Sequence, residues 1–326
     1  MNKKIKQTLL VGALATATFS ATPLLANGLQ VGEMDSAGRI QTQSTFKDGK
    51  MTTKVAHAEA KFNVALTEAL RAVITLELAS ALNGTVDKDD LERILEEAYI
   101  EADSKYATIR FGKMTTELNK VFAKMAIPEN DQLYSINRKE GVMAVQFELT
   151  PEALKIAKNA VDSMSVTIFE NGSNDFEISE HKGVNVRASK ALSDKLTAEV
   201  SALWAQHAGG TEKGATMSLA YQIDDGTVAW AKVQWMDNNP VYVGSNYGAV
   251  VGVSKKVGPG SIVLQASFVE AYGADLGASY VFQLTEVITL APEVRYNTDS
   301  KQTTVAVAMT ITGQKRFKFL SDLNGQ

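Results

Sequence analysis

Charged and amide side chains in this sequence recur at every second position of apolar runs. Lys61, Arg71, Glu77, Arg110, Arg187, Glu199, Lys232, Gln234, Gln265 and Arg295 each sit in mid-run between residues such as Ala, Val, Ile and Leu. That spacing places both signs of charge on one face of an extended chain and aliphatics on the other. The chemistry such a face supports is non-covalent: charges lining a wetted path set up a local field. The ingredients of covalent chemistry are sparse. Histidines stand only at 57, 181 and 207, there is no cysteine, and neither Gly-x-Ser-x-Gly nor His-Glu-x-x-His occurs. A Ser/His site dispersed along the chain is the reading left to an enzyme, and no cofactor or metal is called for.

The elements that position these residues follow from the period. The stretch "VAHAEAKFNVALTEALRAVITLELA", residues 55–79, is rich in good helix formers. Its polar residues nevertheless alternate: His57, Glu59, Lys61 and Asn63 separate Ala56, Ala58, Ala60, Phe62 and Val64. A helix would scatter that set around its circumference, whereas a strand sorts it cleanly onto two faces. Helix propensity is worth only tenths of a kcal/mol per residue, so the pattern decides. The stretch reads as two strands joined near 67–69.

The unit repeats down the chain. About sixteen strands are expected, near 39–46, 53–66, 70–82, 97–103, 105–114, 141–149, 162–170, 183–191, 195–207, 214–223, 227–236, 246–255, 261–270, 275–284, 287–296 and 303–313. Most connections after even-numbered strands are two to five residues, and Asp224-Asp225-Gly226 is a strong hairpin signal. Most after odd-numbered strands are longer and polar: 47–52, 83–96, 115–140, 171–182, 237–245 and 297–302. Residues 150–161 break the rule, with helical spacing where a short turn belongs. An even strand count, clean apolar faces of about ten residues and short turns at one end are the pattern of an all-β, transmembrane, antiparallel up-and-down barrel. Trp204, Tyr221, Trp235, Phe268, Tyr280, Phe282 and Tyr296 fall toward the ends of apolar faces, as interfacial girdles do. A β-sandwich in water is the competing architecture.

The ends and the charge fit export. Lys3, Lys4 and Lys6 precede an apolar run from Leu9 to Phe19, with a cleavage point after Ala26. Residues 1–26 read as a signal peptide and 27–326 as the barrel. Removing three lysines and no acids takes the formal charge from −4 to −7, which argues against nucleic acid as a partner.

The segment "EEAYIEADSKYATIRFGKMTTELNKVFAKMAIPENDQ" is similar to the part of Gram-negative general porins that leads into their long third external loop. Ala98–Ala102 resembles an "AYVGL"-type strand and Ala107–Lys113 a "GTVTLGR"-type strand, with Pro128-Glu129 matching a Pro-Glu element in the loop. Two departures stand out: Glu97 replaces a basic residue, and the chain runs past the last strand as "GQKRFKFLSDLNGQ", with Phe317 and Phe319 in phase with Val305 to Ile311. The resemblance implies an outer-membrane homotrimer embedded in lipid. It implies passive diffusion of small hydrophilic solutes past loop 115–140 folded inward. Glu117, Glu129 and Asp131 are then the loop acids, with Lys120, Lys124 and Arg138 offsetting them. Lys61, Arg71, Arg110, Arg187 and Arg295 are the facing wall cations. Ala56, Ala58 and Ala60 form a candidate small-residue patch for a subunit boundary. A sugar- or anion-selective channel and a non-channel barrel, structural or enzymatic, are the alternatives.

Overall fold

The computed structural model describes residues 33–47, 49–78, 95–117, 138–156, 160–170, 182–207, 210–237, 247–270 and 273–318. Sixteen strands follow one another: β1 (Glu33–Lys47), β2 (Lys50–Thr67), β3 (Leu70–Glu77), β4 (Leu95–Asp103), β5 (Ala107–Glu117), β6 (Arg138–Leu149), β7 (Ser163–Glu170), β8 (Lys182–Ser193), β9 (Leu196–His207), β10 (Gly210–Asp224), β11 (Thr227–Asp237), β12 (Tyr247–Val257), β13 (Gly260–Val269), β14 (Gly273–Gln283), β15 (Ile288–Asn297) and β16 (Gln302–Lys318). Each pairs antiparallel with its sequence neighbours, and β1 pairs with β16 to close the barrel. Closure leaves no strand at an open edge of the sheet, so ladder groups find partners without help from solvent. β16 carries Phe317 into register opposite Met34, beyond the expected end at 313.

The faces sort as the period predicts. Val233, Val251, Leu264, Leu276, Val294 and Ile168 point outward and are about half exposed. Their in-strand neighbours Lys232, Gln265, Asp275, Glu293 and Thr167 point inward and are buried. This polarity is the reverse of a protein core in water, and such an outer surface is stable against hydrocarbon. Aromatics collect at both rims of that surface. Trp204, Trp235, Tyr247, Phe268 and Tyr296 are exposed near the ends that carry the longer connections. Tyr221 and Tyr106 are exposed at the opposite end, where Tyr280 and Phe282 stack at 5.4 Å.

Turn chemistry fixes the short-turn end. The Asp224 carboxylate accepts the Gly226 amide at 2.8 Å, and the Thr285 hydroxyl accepts the amide of Ile288 at 3.1 Å. Gly258, with φ of 57°, supplies the left-handed residue between β12 and β13. The exceptional connection at 150–161 contains α1 (Pro151–Ile156). It buries Leu154 and is tied to the β4–β5 turn, because the Thr150 hydroxyl donates to Lys105 O at 2.7 Å. β6 and β7 keep their pairing around it, with Glu148 opposite Ser165.

Three expectations need correction. The 47–52 connection is not a longer one: β1 ends at Lys47 and β2 begins at Lys50, with Gly49 at φ 74°. An Asp-Gly pair is a tight-hairpin signal in its own right. Glu117 and Arg138 are not loop residues, since they close the β5–β6 ladder opposite one another. Lastly, Ala56, Ala58 and Ala60 do not make an even outer patch, because the register of β2 with β1 slips between Gln41 and Thr42. Near that bulge the Ala58 amide donates to Glu77 Oε1 at 3.1 Å, and Ala58 is buried within the chain. Of the proposed small-residue patch, only Ala60 keeps partial exposure, and the side chain of Ala56 lies outside the described residues.

Two outcomes follow. Val233→Arg, at the middle of β11 on the outer face, should cost about 2–4 kcal/mol of folding stability in vesicles by urea titration; an unchanged midpoint would mean that this face does not meet lipid. At the short-turn end, Asp162 accepts the Ala191 amide at 2.6 Å and lies 3.5 Å from Lys190. The amide hydrogen bond, aided by that lysine, holds its carboxyl below the usual range. A lowered folded value means its stabilisation is present above the ordinary carboxyl range and is lost as pH falls through the lowered value. Asp162→Asn should therefore flatten the acid limb of the stability profile and leave the neutral region parallel to wild type.

Candidate functional site

Alternation puts Arg71 on the inner face one residue into β3, and register does the rest. Arg71 stands opposite Glu101, Glu101 opposite Arg110, Arg110 opposite Gln146, and Gln146 opposite Thr167. One hydrogen-bonded row thus crosses five strands. Glu101 is its hub: Oε1 meets Arg71 Nη2 at 2.7 Å and Oε2 meets Arg110 Nε at 2.5 Å. Arg71 also pairs with Asp103 at 2.6 Å, and Arg110 with Glu148 at 2.9 Å. Gln146 accepts from Arg110 and donates to the Thr167 hydroxyl at 2.9 Å. The Thr108 hydroxyl donates to Asp103 at 2.6 Å.

Two arginines here face three carboxylates, and Thr75 donates to a further acid, Glu97, at 3.1 Å. The wall therefore carries its own counter-charges. The arginines were expected to be answered by acids on the loop, whereas Glu101, Asp103 and Glu148 on the strands already answer them. The network sits at the short-turn end of β3–β6. Mutual satisfaction in a partly dry site makes such a network rigid.

The other sequence candidates are dispersed on the same inner face. Lys61 stands opposite Thr75, Arg187 between Ser165 and Ser201, and Arg295 forms an ion pair with Asp275 at 3.7 Å on the far side of the barrel. Glu129 and Asp131, with Lys120 and Lys124, lie outside the described residues. Glu117 is placed by its backbone at the end of β5.

One feature of the inner wall was not expected. Toward the longer-connection end it carries a buried apolar cluster of Met114, Val142, Phe169, Leu203, Met236 and Val250 with their neighbours. Trp230 is also inward and buried, against Val263. Parity alone places Trp230 and Met236 on the face of Lys232 and Gln234, so the signal was present in "TVAWAKVQWMD". The aromatics that draw attention in the sequence are the outward ones.

Three solved structures share this architecture. The outer membrane channel DcaP of Acinetobacter baumannii matches with a TM-score of 0.61 at 13% identity, over 88% of this chain and 98% of that one. An engineered mutant of the Rh. blastica porin matches at 0.59 and 11%, over 86% and 99%. The fold is that of the porins. OmpT, an outer membrane protein of Vibrio cholerae in its trimer form, matches at 0.55 and 11%, over 87% and 100%. No family model and no curated protein matches the chain. Identities this low show the porin fold alone.

Truncating one partner should expose the hub's role. Arg110→Ala leaves Glu101, only about a tenth exposed, with Arg71 alone. A loss of about 2 kcal/mol is expected, below the figure for a fully buried pair because Arg110 keeps some water. Glu101→Ala in the same background should recover part of that loss. Strictly additive urea midpoints would show that the two side chains do not interact.

Proposed function

We propose that the chain is an outer-membrane porin, a channel for passive diffusion of small hydrophilic solutes and ions, exported by a signal peptide in residues 1–26 and assembled as a homotrimer. The observation that carries the reading is the inverted barrel: a continuous apolar exterior around an interior wall that bears ionised side chains. Hydrocarbon accepts the first surface, and only a wetted or internally paired environment accepts the second. The trimeric form of the Vibrio cholerae neighbour and the channel description of the Acinetobacter one support assembly and activity by shared fold. The reading assigns no cofactor and no catalytic residue.

Acids outnumber arginines in the wall network, and the chain beyond residue 26 carries a formal charge of −7. A path of this sign favours cations weakly. The apolar inner cluster supports a second reading, a channel selective for solutes with an apolar part. Reconstitution in planar bilayers separates them. Stepwise ohmic conductance, with a zero-current potential of the cation-selective sign in a KCl gradient, is the expected result. Glu148→Gln should move that potential toward the anion side. Folded protein that leaves bilayers silent would refute the channel, and block by one amphipathic solute would favour the selective reading.

A further inference from the structure

Phe169, Met236 and Trp230 are large, apolar and inward-facing, yet they are only 2%, 1% and 4% exposed. Each stands directly opposite a glycine on the next strand: Phe169 opposite Gly183, Met236 opposite Gly214, and Trp230 opposite Gly252. A Cβ on Gly183 would collide first with the Trp204 carbonyl of the next strand and would also fall 2.8 Å from both Ala205 Cα and Phe169 Cζ. One on Gly214 would collide with Met236 Sδ. One on Gly252 would collide with Trp230 Cζ2 and lie 2.6 Å from Cε2. The side-chain atoms among these are the far ends of Phe169, Met236 and Trp230. Neighbouring strands run about 4.8 Å apart, so a side chain whose tip rests on the adjacent Cα lies along the wall and does not project across the barrel.

The backbone does not require glycine at these positions. Among the described residues positive φ is confined to Lys301 and to glycines 49, 112, 210, 258 and 273. Space is therefore what the three glycines supply. Nor does a hydrogen bond orient the tryptophan: its buried indole N–H has no partner, and the ring is held by packing against Gly252, Val263 and Val281. Side-chain direction thus depends on an absent methyl group one strand away.

We propose that Gly183, Gly214 and Gly252 set the width of the channel. Each is a socket that folds a bulky apolar side chain against the wall, leaving the cross-section to water and to the charged rows. The inference rests on the channel reading for its functional consequence, while the packing claim stands without it.

Gly214 gives the cleanest test, because the nearest backbone atom to its added Cβ is 3.4 Å away and only the flexible end of Met236 must move. Gly214→Ala should swing Met236 off the wall and lower single-channel conductance. Met236→Ala alone should leave conductance at the wild-type level, and Gly214→Ala/Met236→Ala should restore it. The packing is read separately by fluorescence. The chain has three tryptophans, and Trp204→Phe/Trp235→Phe leaves Trp230 alone. Aqueous iodide should quench it weakly, and strongly once Gly252→Ala is added. Unfolded Gly252→Ala protein, identified by loss of heat-modifiable migration, passes the decision to the Gly214 pair. Conductance of Gly214→Ala equal to wild type would overturn the proposal, as would unchanged quenching in folded Gly252→Ala. A silent wild type with the quenching change intact would refute the channel and keep the sockets.

Discussion

Closure of the hydrogen-bonded ring between β1 and β16 is the constraint on which everything else depends. Fourteen consecutive residue pairs, from Glu33 with Lys318 to Phe46 with Val305, join the two ends of the sheet. An open sheet of this outer composition would present unpaired amides and carbonyls to hydrocarbon, at several kcal/mol for each group. Once the ring is closed, each residue has two destinations only, out or in. The period of two becomes a rule about solvent as well as about packing.

That rule explains why charges can be concentrated here without destabilising the barrel. Arg71, Glu101, Arg110 and Glu148 share the inner face because each lies an even number of residues from the others along its own strand or directly across the ladder. Register then converts a set of inward charges into a connected row of short ion pairs. The same rule works against bulky apolar residues that land inward by parity. Phe169, Met236 and Trp230 are accommodated by a glycine across the ladder, so the inner wall holds aromatic mass without projecting it. A hydrogen-bonded charged row at the short-turn end of β3–β6 and flattened apolar residues elsewhere on the inner wall are two solutions to one problem, the placement of side chains inside a ring of fixed backbone width.

Much of this was legible in the sequence. Strand existence and facing came through because alternation over ten residues is a strong signal, and the helix-prone composition of 55–79 did not override it. The expected strand at 227–236 and the observed Thr227–Asp237 differ by one residue. What stayed hidden depends on register, which no local window contains. Arg71 and Arg110 were readable as inward cations, but the acid between them was not readable as their shared partner. The glycines opposite Phe169, Met236 and Trp230 sit 14 to 22 residues away from them and gain meaning only when the strands are aligned. The β1–β2 hairpin is a different kind of miss: its signal was local, and the long polar run "STFKDGKMTTK" obscured it.

The alternation of environments along a single strand is the measurement that addresses the central claim most directly. The chain has no cysteine, so single substitutions to cysteine at positions 184 to 189 of β8 report without background. In vesicles, a bilayer-soluble quencher should reach labels at Val184, Val186 and Ala188. A membrane-impermeant thiol reagent should modify Asn185, Arg187 and Ser189 positions instead. Strict alternation is the result expected of a closed barrel with lipid outside and water within. Equal reactivity at all six positions, or the opposite assignment of the two sets, would contradict it.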